Sequence, residues 1–243
     1  MGNSKVVYTC LTGRYDALQD PLIKRNDWDY ICFTDRTKEI KSAIWDIRPI
    51  PFNHNNKTVL SRYPKLNPHL VLDDYQYSMY HDSNIQIAGD YLYEKAEELI
   101  KNNSLISIPE HPLRNCVYQE AKVIKREGIE SAKKIGQIIS ELQRNKFPHN
   151  MGLYENAIIF RKHMDLNIIK LSNTWWELFL KYVKRDQLTL TYLLWKNNIQ
   201  CSNLLPSDTN MRNFSAISYQ RHNRKIKKSL KRRYLKYKNR FSK

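Results

Sequence analysis

Short apolar runs alternate with longer stretches of helical spacing along most of the chain. The runs at 5–13, 29–35, 45–51, 75–83, 104–110, 152–162 and 199–206 are strand-length, and most end in Gly, Pro or an acidic residue, which predicts strands. Between them, 89–103, 116–127, 131–145, 165–183 and 186–198 place apolar residues at intervals of three and four, which predicts helices. The stretch 57–72 has the same spacing but carries Pro64 and Pro68, so short, interrupted helices are expected there. Strands alternating with helices predict an α/β sandwich around a mostly parallel sheet. No internal repeat is visible.

Composition adjusts this picture in few places. A chain of 243 residues with 41% hydrophobic content, 16 Tyr and 5 Trp can build one sizeable core without disulfides. Cys10, Cys32, Cys116 and Cys201 are widely spaced and form no CxxC pair, which predicts reduced thiols of a cytosolic protein. No apolar stretch reaches the ~20 residues that cross a bilayer. The N-terminus runs straight into a strand pattern, so no signal peptide is expected, and Val6 breaks the myristoylation pattern that Met1-Gly2 invites. The net charge of +17 suggests a nucleic-acid binder until it is located: residues 221–243 hold twelve Lys/Arg and no acid, leaving +5 on the other 220. The charge belongs to a tail.

Candidate chemistry collects where strands are predicted to end. In open α/β sheets ligands bind beyond the carboxyl ends of the strands, and four polar clusters fall there: Thr12-Gly13-Arg14-Tyr15-Asp16, Thr34-Asp35-Arg36, His81-Asp82-Ser83-Asn84, and Pro109-Glu110-His111. Each alone is ordinary loop chemistry; their shared placement carries the inference. Gly13 would let backbone N–H groups approach a phosphate or base. Arg62 and Lys65, three apart, share a helix face and could hold a diphosphate. Asp82 and Asn84, two apart after a strand, could bind a hard divalent cation. Asp186 precedes an apolar helix, where an N-cap is the ordinary role and a base facing a cleft the catalytic one.

The ordered blocks YTCLTGRYDAL, YICFTD, SRYPKLNPH, YHDSNIQI, HPLRNCVYQEA, GLYENAIIFRKH and RDQLTLTYLLWK resemble a glycosyltransferase-like family. That family includes plant mucilage-related hexosyltransferase-like proteins and bacterial surface-polysaccharide enzymes. The likeness covers residues 5–200. It implies a GT-A-like nucleotide-sugar-binding fold, a nucleotide-sugar donor with UDP favoured, a glycan or lipid-linked acceptor, and a divalent cation, Mn²⁺ or Mg²⁺. By the same resemblance, Thr12, Gly13, Arg14, Tyr15 and Asp35 would hold the nucleotide, with Arg62 and Lys65 at the diphosphate. Asp82 sits where such enzymes place an Asp-x-Asp metal motif, but His81 or Asn84 takes the second acidic position, so Asp82 and Asn84 are the expected ligands of a weakened metal site. His111, Arg114, Glu155, Arg185 and Gln187 would line the sugar and acceptor side, with Asp186 as catalytic base of an inverting enzyme.

In the tail, Ile226, Leu230, Tyr234, Tyr237 and Phe241 form one apolar stripe of a helix in a basic field, a pattern suited to an anionic membrane surface. His222 precedes the stripe. The organisation expected is therefore a transferase domain over 1–215 and a basic amphipathic tail over 216–243. The protein would work in the cytoplasm, peripheral at the inner face of the membrane, in surface-polysaccharide synthesis. Two rivals stand against this: a basic nucleic-acid-binding module acting through the tail, which the charge distribution disfavours, and an inactive sugar-nucleotide-binding scaffold.

Overall fold

The computed structural model describes residues 3–182, 185–220 and 227–240. The strands are β1 (Lys5–Leu11), β2 (Asp29–Thr34), β3 (Asp46–Pro49), β4 (Tyr77–Asp82), β5 (Ile85–Ile87), β6 (Ile106–Ile108), β7 (Ile158–Arg161), β8 (Ser202–Asn203) and β9 (Ile217–Tyr219). The helices are α1 (Lys57–Leu66), α2 (Tyr91–Lys101), α3 (Val117–Arg126), α4 (Ala132–Arg144), α5 (Leu166–Lys181), α6 (Gln187–Lys196) and α7 (Lys227–Arg240). A seven-stranded sheet runs β3-β2-β1-β4-β7-β6-β8, all parallel except the reversed β7. This is the mostly parallel α/β architecture that the alternating pattern predicts.

Both faces of the sheet are covered, which is why its strands read as continuous apolar runs. Along β1, Val6, Tyr8 and Cys10 pack into one core with α1, α3, α4, α5 and α6, while Val7 and Leu11 pack into a second core with α2. Cys10, Cys32 and Cys116 are buried and unbridged, and Cys201 is half-buried.

Three features depart from the expected elements. The chain runs as one α-helix through Pro64 instead of breaking. Asn56 caps its start, accepting from the N–H groups of Thr58 and Val59. Its last carbonyls are held from outside: Tyr8 Oη donates to Pro64 O at 3.3 Å and Arg161 Nη2 to Lys65 O at 2.8 Å. Near its end a helix tolerates a proline, which forfeits the ladder bond to Leu60 O, and the tertiary donors satisfy the carbonyls that the helix end leaves open. Second, Ile85–Ile87, to which the sequence pattern assigned no element, is a strand: after a turn at Ser83-Asn84 it pairs antiparallel with β9 as a separate ribbon. Third, Asp186 stands at the head of α6 without capping it.

Residues 227–240 of the basic tail form the helix α7, which is docked. Asn239 is buried; its amide donates to the carbonyls of Lys125 and Glu130, at 3.0 and 2.9 Å, and its oxygen accepts from Ala132 N at 2.9 Å. One side chain thereby serves both the end of α3 and the start of α4. Tyr234 and Tyr237 are exposed. Ile226, Phe241 and His222 lie outside the described residues, as does the side chain of Leu230. No helix among the described residues is long and apolar enough to cross a membrane.

Candidate active site

The chain leaves β1 toward β2 and β3, then returns to β4 on the other side of β1. Loops that part at such a point open a crevice at the carboxyl edge. Ser83, after β4, donates to Asp16, after β1, at 2.8 Å and ties the two loops together. Gly13 has φ +59, a backbone that L side chains rarely adopt, and this turns its N–H onto Asp35 Oδ1 at 2.9 Å. Lys57 Nζ pairs with Asp35 Oδ2 at 2.6 Å, and Thr12 Oγ1 donates to Lys57 O at 3.2 Å. Burial pushes the Asp35 carboxyl up, but Lys57 and the Gly13 N–H outweigh it and hold it low. Thr12, Gly13 and Asp35 thus form one unit with Lys57, a member that sequence reading missed. Beside it opens a cavity of ≈ 360 Å³ that Asp35, Lys57, Phe52 and His54 help to line; Phe52 stacks on Tyr63 with ring centroids 4.4 Å apart. Arg14 points outward and pairs at 3.5 Å with Glu39, and Tyr15 lies half-buried in the loop.

Deeper in, a knot of charges joins α1, β4 and α6. Lys65 Nζ lies 2.8 Å from Asp186 Oδ2 and 3.4 Å from Asp82 Oδ1, over the Tyr80 ring at 5.0 Å. Arg62 Nε is 3.6 Å from Asp186 Oδ2, and Tyr80 Oη donates to Asp82 Oδ1 at 2.8 Å. Burial pushes the Asp186 carboxyl up, yet Lys65 and Arg62 overcome this and hold it far below the usual carboxylate range. A carboxylate so held is a weak proton acceptor. Burial likewise lowers Arg62, but Asp186 and Asp82 raise it further. Arg161, on β7, is fully buried and makes no ion pair among the described residues; one Nη bonds Tyr8 Oη and the carbonyl of Lys65. Sequence reading passed over Arg161, though a cation inside the apolar strand IIFR was its signal.

The third group lies where β7 begins. Glu155 N donates to Pro109 O and His111 N to Leu153 O, each at 2.8 Å, which joins the 109–111 and 153–157 segments. Arg212 Nη1 pairs with Glu155 Oε1 at 2.9 Å, while Glu155 Oε2 and both polar side-chain atoms of Asn156 are buried without a hydrogen bond. Arg114 is committed to Glu120 at 2.6 Å and donates to His111 Nε2 at 2.9 Å. Burial, then the Arg114 charge, lowers the His111 imidazole. Gln187 Nε2 donates to Tyr154 O at 3.2 Å, and Arg185 reaches Gln187 at 3.4 Å. The groups adjoin: Asp82 N donates to Ala157 O at 2.8 Å, and the Cys10 thiol feels the charges of Arg62, Asp35 and Asp82. Neither Asn156 nor Arg212 stood out in the sequence: Asn156 fell inside the run 152–162 expected as a strand, and Arg212 lies in an ordinary polar segment.

The expected metal ligands do not make a good divalent site. Asp82 Oδ1 is already taken by Tyr80 and Lys65. The other expected donor is the Asn84 side chain, so a hard divalent cation, which takes about six oxygens, would have to draw most of them from substrate phosphates and water. Among the described residues no cluster of three or more His, Cys, Asp or Glu could hold a metal ion.

Residues 35–222 match the model of a family described as TOD1/MUCI70, glycosyltransferase-like domain. Among solved structures, the apo WbbM bifunctional glycosyltransferase matches with TM-score 0.45 and 12% identity over 98% of this chain, which spans 44% of that one. The apo mouse xyloside xylosyltransferase 1 matches with TM-score 0.45 and 8% identity, over 84% of this chain and 85% of that one. No curated protein matches the sequence.

Proposed function

The chain belongs to the TOD1/MUCI70 glycosyltransferase-like domain family, and from that premise we propose that it moves a hexose or similar sugar from a UDP-linked donor to a hydroxyl of a glycan or lipid-linked acceptor. The observation that carries this reading is the gathering of three side-chain groups along one carboxyl edge, at the point where the chain changes direction about β1. The Gly13–Asp35–Lys57 unit and its neighbouring cavity suit the nucleoside. Arg62 and Lys65 suit the diphosphate, and Glu155 with Asn156 suits the sugar hydroxyls, because buried polar atoms without partners await one.

In the reaction, the bond from the anomeric carbon to the β-phosphate oxygen breaks and its electron pair stays on that oxygen. The acceptor oxygen bonds to the anomeric carbon and releases its proton. Stabilising the departing diphosphate is the largest task, and it falls to fixed cations aimed at the developing charge. Asp186 anchors those cations. For the proton, Glu155 is the better placed carboxylate in an inverting reaction, since its Oε2 has no partner. The exposed face of α7, with Arg233, Tyr234, Lys236 and Tyr237, suits an anionic lipid surface, which would put the protein at the inner face of the membrane in polysaccharide synthesis.

A thermal-shift panel of nucleotide sugars tests the reading, followed by transfer and donor-hydrolysis assays on whatever binds. A UDP-sugar should raise the melting temperature by mass action, and Asp82→Ala should abolish turnover while keeping the fold. If no nucleotide sugar stabilises the protein, the assignment fails.

A further inference from the structure

We infer that this site handles the diphosphate with its own cations and needs no divalent metal ion. The inference rests on the glycosyl-transfer reading above and adds to it how the leaving group is neutralised. It starts from Lys65, whose side chain is 2% exposed and whose ammonium sits between the carboxylates of Asp82 and Asp186. That is the place a bridging metal would need. A divalent ion there would meet a fixed positive charge and could recruit Asp82 only through the oxygen that Tyr80 and Lys65 leave over.

The surrounding charge balance points the same way. Arg62, Lys65 and Arg161 bring three cations to the knot against the two carboxylates of Asp82 and Asp186. Among the described residues Arg161 pairs with no carboxylate, and it holds the backbone of Lys65 through its carbonyl. The knot therefore keeps an excess of positive charge before any ligand arrives. A pair of carboxylates awaiting a metal would show the reverse, an excess of negative charge that the ion relieves. A diphosphate supplies the negative charge this site lacks.

The two α1 cations divide the work by depth. Lys65 ties up both carboxylates from below. Arg62, 22% exposed at its side chain, is the one that can reach a ligand. Its planar fork suits two phosphate oxygens at once, and its charge persists at every working pH. As the sugar–oxygen bond breaks, Arg62 faces the oxygen that receives the electron pair.

The test measures binding of UDP, GDP, ADP and TDP to the full chain by calorimetry, in EDTA and again with Mn²⁺ or Mg²⁺, and Mn²⁺ alone by electron paramagnetic resonance. The expected result is one nucleotide whose affinity differs by less than about threefold between the two buffers, with no Mn²⁺ site tighter than millimolar. Arg62→Gln should weaken that nucleotide by about tenfold or more, with no rescue by Mn²⁺. Arg62 is partly exposed, so this variant should fold, and an unchanged melting temperature confirms it. Binding that requires metal, or tightens about tenfold or more with it, overturns the inference and leaves the transferase reading intact. So does full rescue of Arg62→Gln by Mn²⁺. If no nucleoside diphosphate binds in either buffer, the transferase reading falls and this inference with it.

Discussion

Replacing Asp186 by Asn removes a charge from the knot and almost no volume. Lys65 is left 1% exposed with Asp82 at 3.4 Å as its remaining counter-ion, and Arg62 loses its closest carboxylate. Breaking a buried ion pair by removing one partner costs about 3–5 kcal/mol. Asp82 compensates in part, so the loss should lie near the lower end, about 3 kcal/mol. For a chain of this size that is a fall of roughly 6–12 °C in melting temperature. Calorimetry at neutral pH measures it. The pH course provides a second reading. Because Lys65 and Arg62 overcome burial and depress the Asp186 pKa in the folded state, its contribution is present above the unfolded carboxylate value and fades as pH falls through the folded one. The gap between wild type and variant should therefore stay constant from neutral pH down to about pH 4 and narrow only below it. The double variant Lys65→Met with Asp186→Leu should recover most of the loss, since an apolar pair of similar volume replaces a buried ion pair at little cost. A variant Asp186→Asn that melts with wild type but has lost turnover would refute the anchoring argument. It would return Asp186 to the role of catalytic base.

Other consequences follow from single buried groups. His163 is fully buried with Nε2 2.9 Å from Leu72 O, and burial, opposed by that carbonyl and assisted by Arg161 and His69, takes its pKa from 6.5 down to about 4. The unfolded chain then binds the proton first, so the neutral ring's contribution is complete above about pH 6.5 and is lost toward pH 4, worth up to about 3 kcal/mol; His163→Gln should flatten the stability curve in that window, and an unchanged curve would dismiss the histidine. On the tail, Arg233→Glu with Lys236→Glu should release the protein from phosphatidylserine vesicles without lowering its melting temperature, while unchanged co-sedimentation would end the proposed membrane role of α7.

The elements of the sheet were legible because burial on both faces writes itself into short, continuous apolar runs. The carboxyl-edge clusters were legible because strands end where such runs stop. What escaped was pairing at a distance. Ile85–Ile87 falls in none of the expected elements, and its partner is Ile217–Tyr219, which no local pattern announces. The spacing of Arg62 and Lys65 revealed a shared cationic face but not the carboxylates it would meet, since Asp186 arrives from another helix. Pro64 read as a break because the donors that mend the helix end, Tyr8 and Arg161, come from two different strands.

The reversed strand explains how these parts share one place. Had β7 run parallel to β4, the residues leading into it would lie at the opposite edge. Antiparallel, it begins at the carboxyl edge beside His81, and Ala157 accepts from Asp82 N. Glu155 and Asn156 therefore stand next to the end of β4, where a sugar would lie. The same direction carries the strand inward, so that Arg161 at its far end pairs with Ser78 in the sheet register and meets the carbonyl of Lys65. One reversed segment thus supplies polar atoms to the surface of the site and a cation to its floor. The floor's positive charge then determines which ligands the surface can keep: a diphosphate relieves it, and a metal ion adds to it.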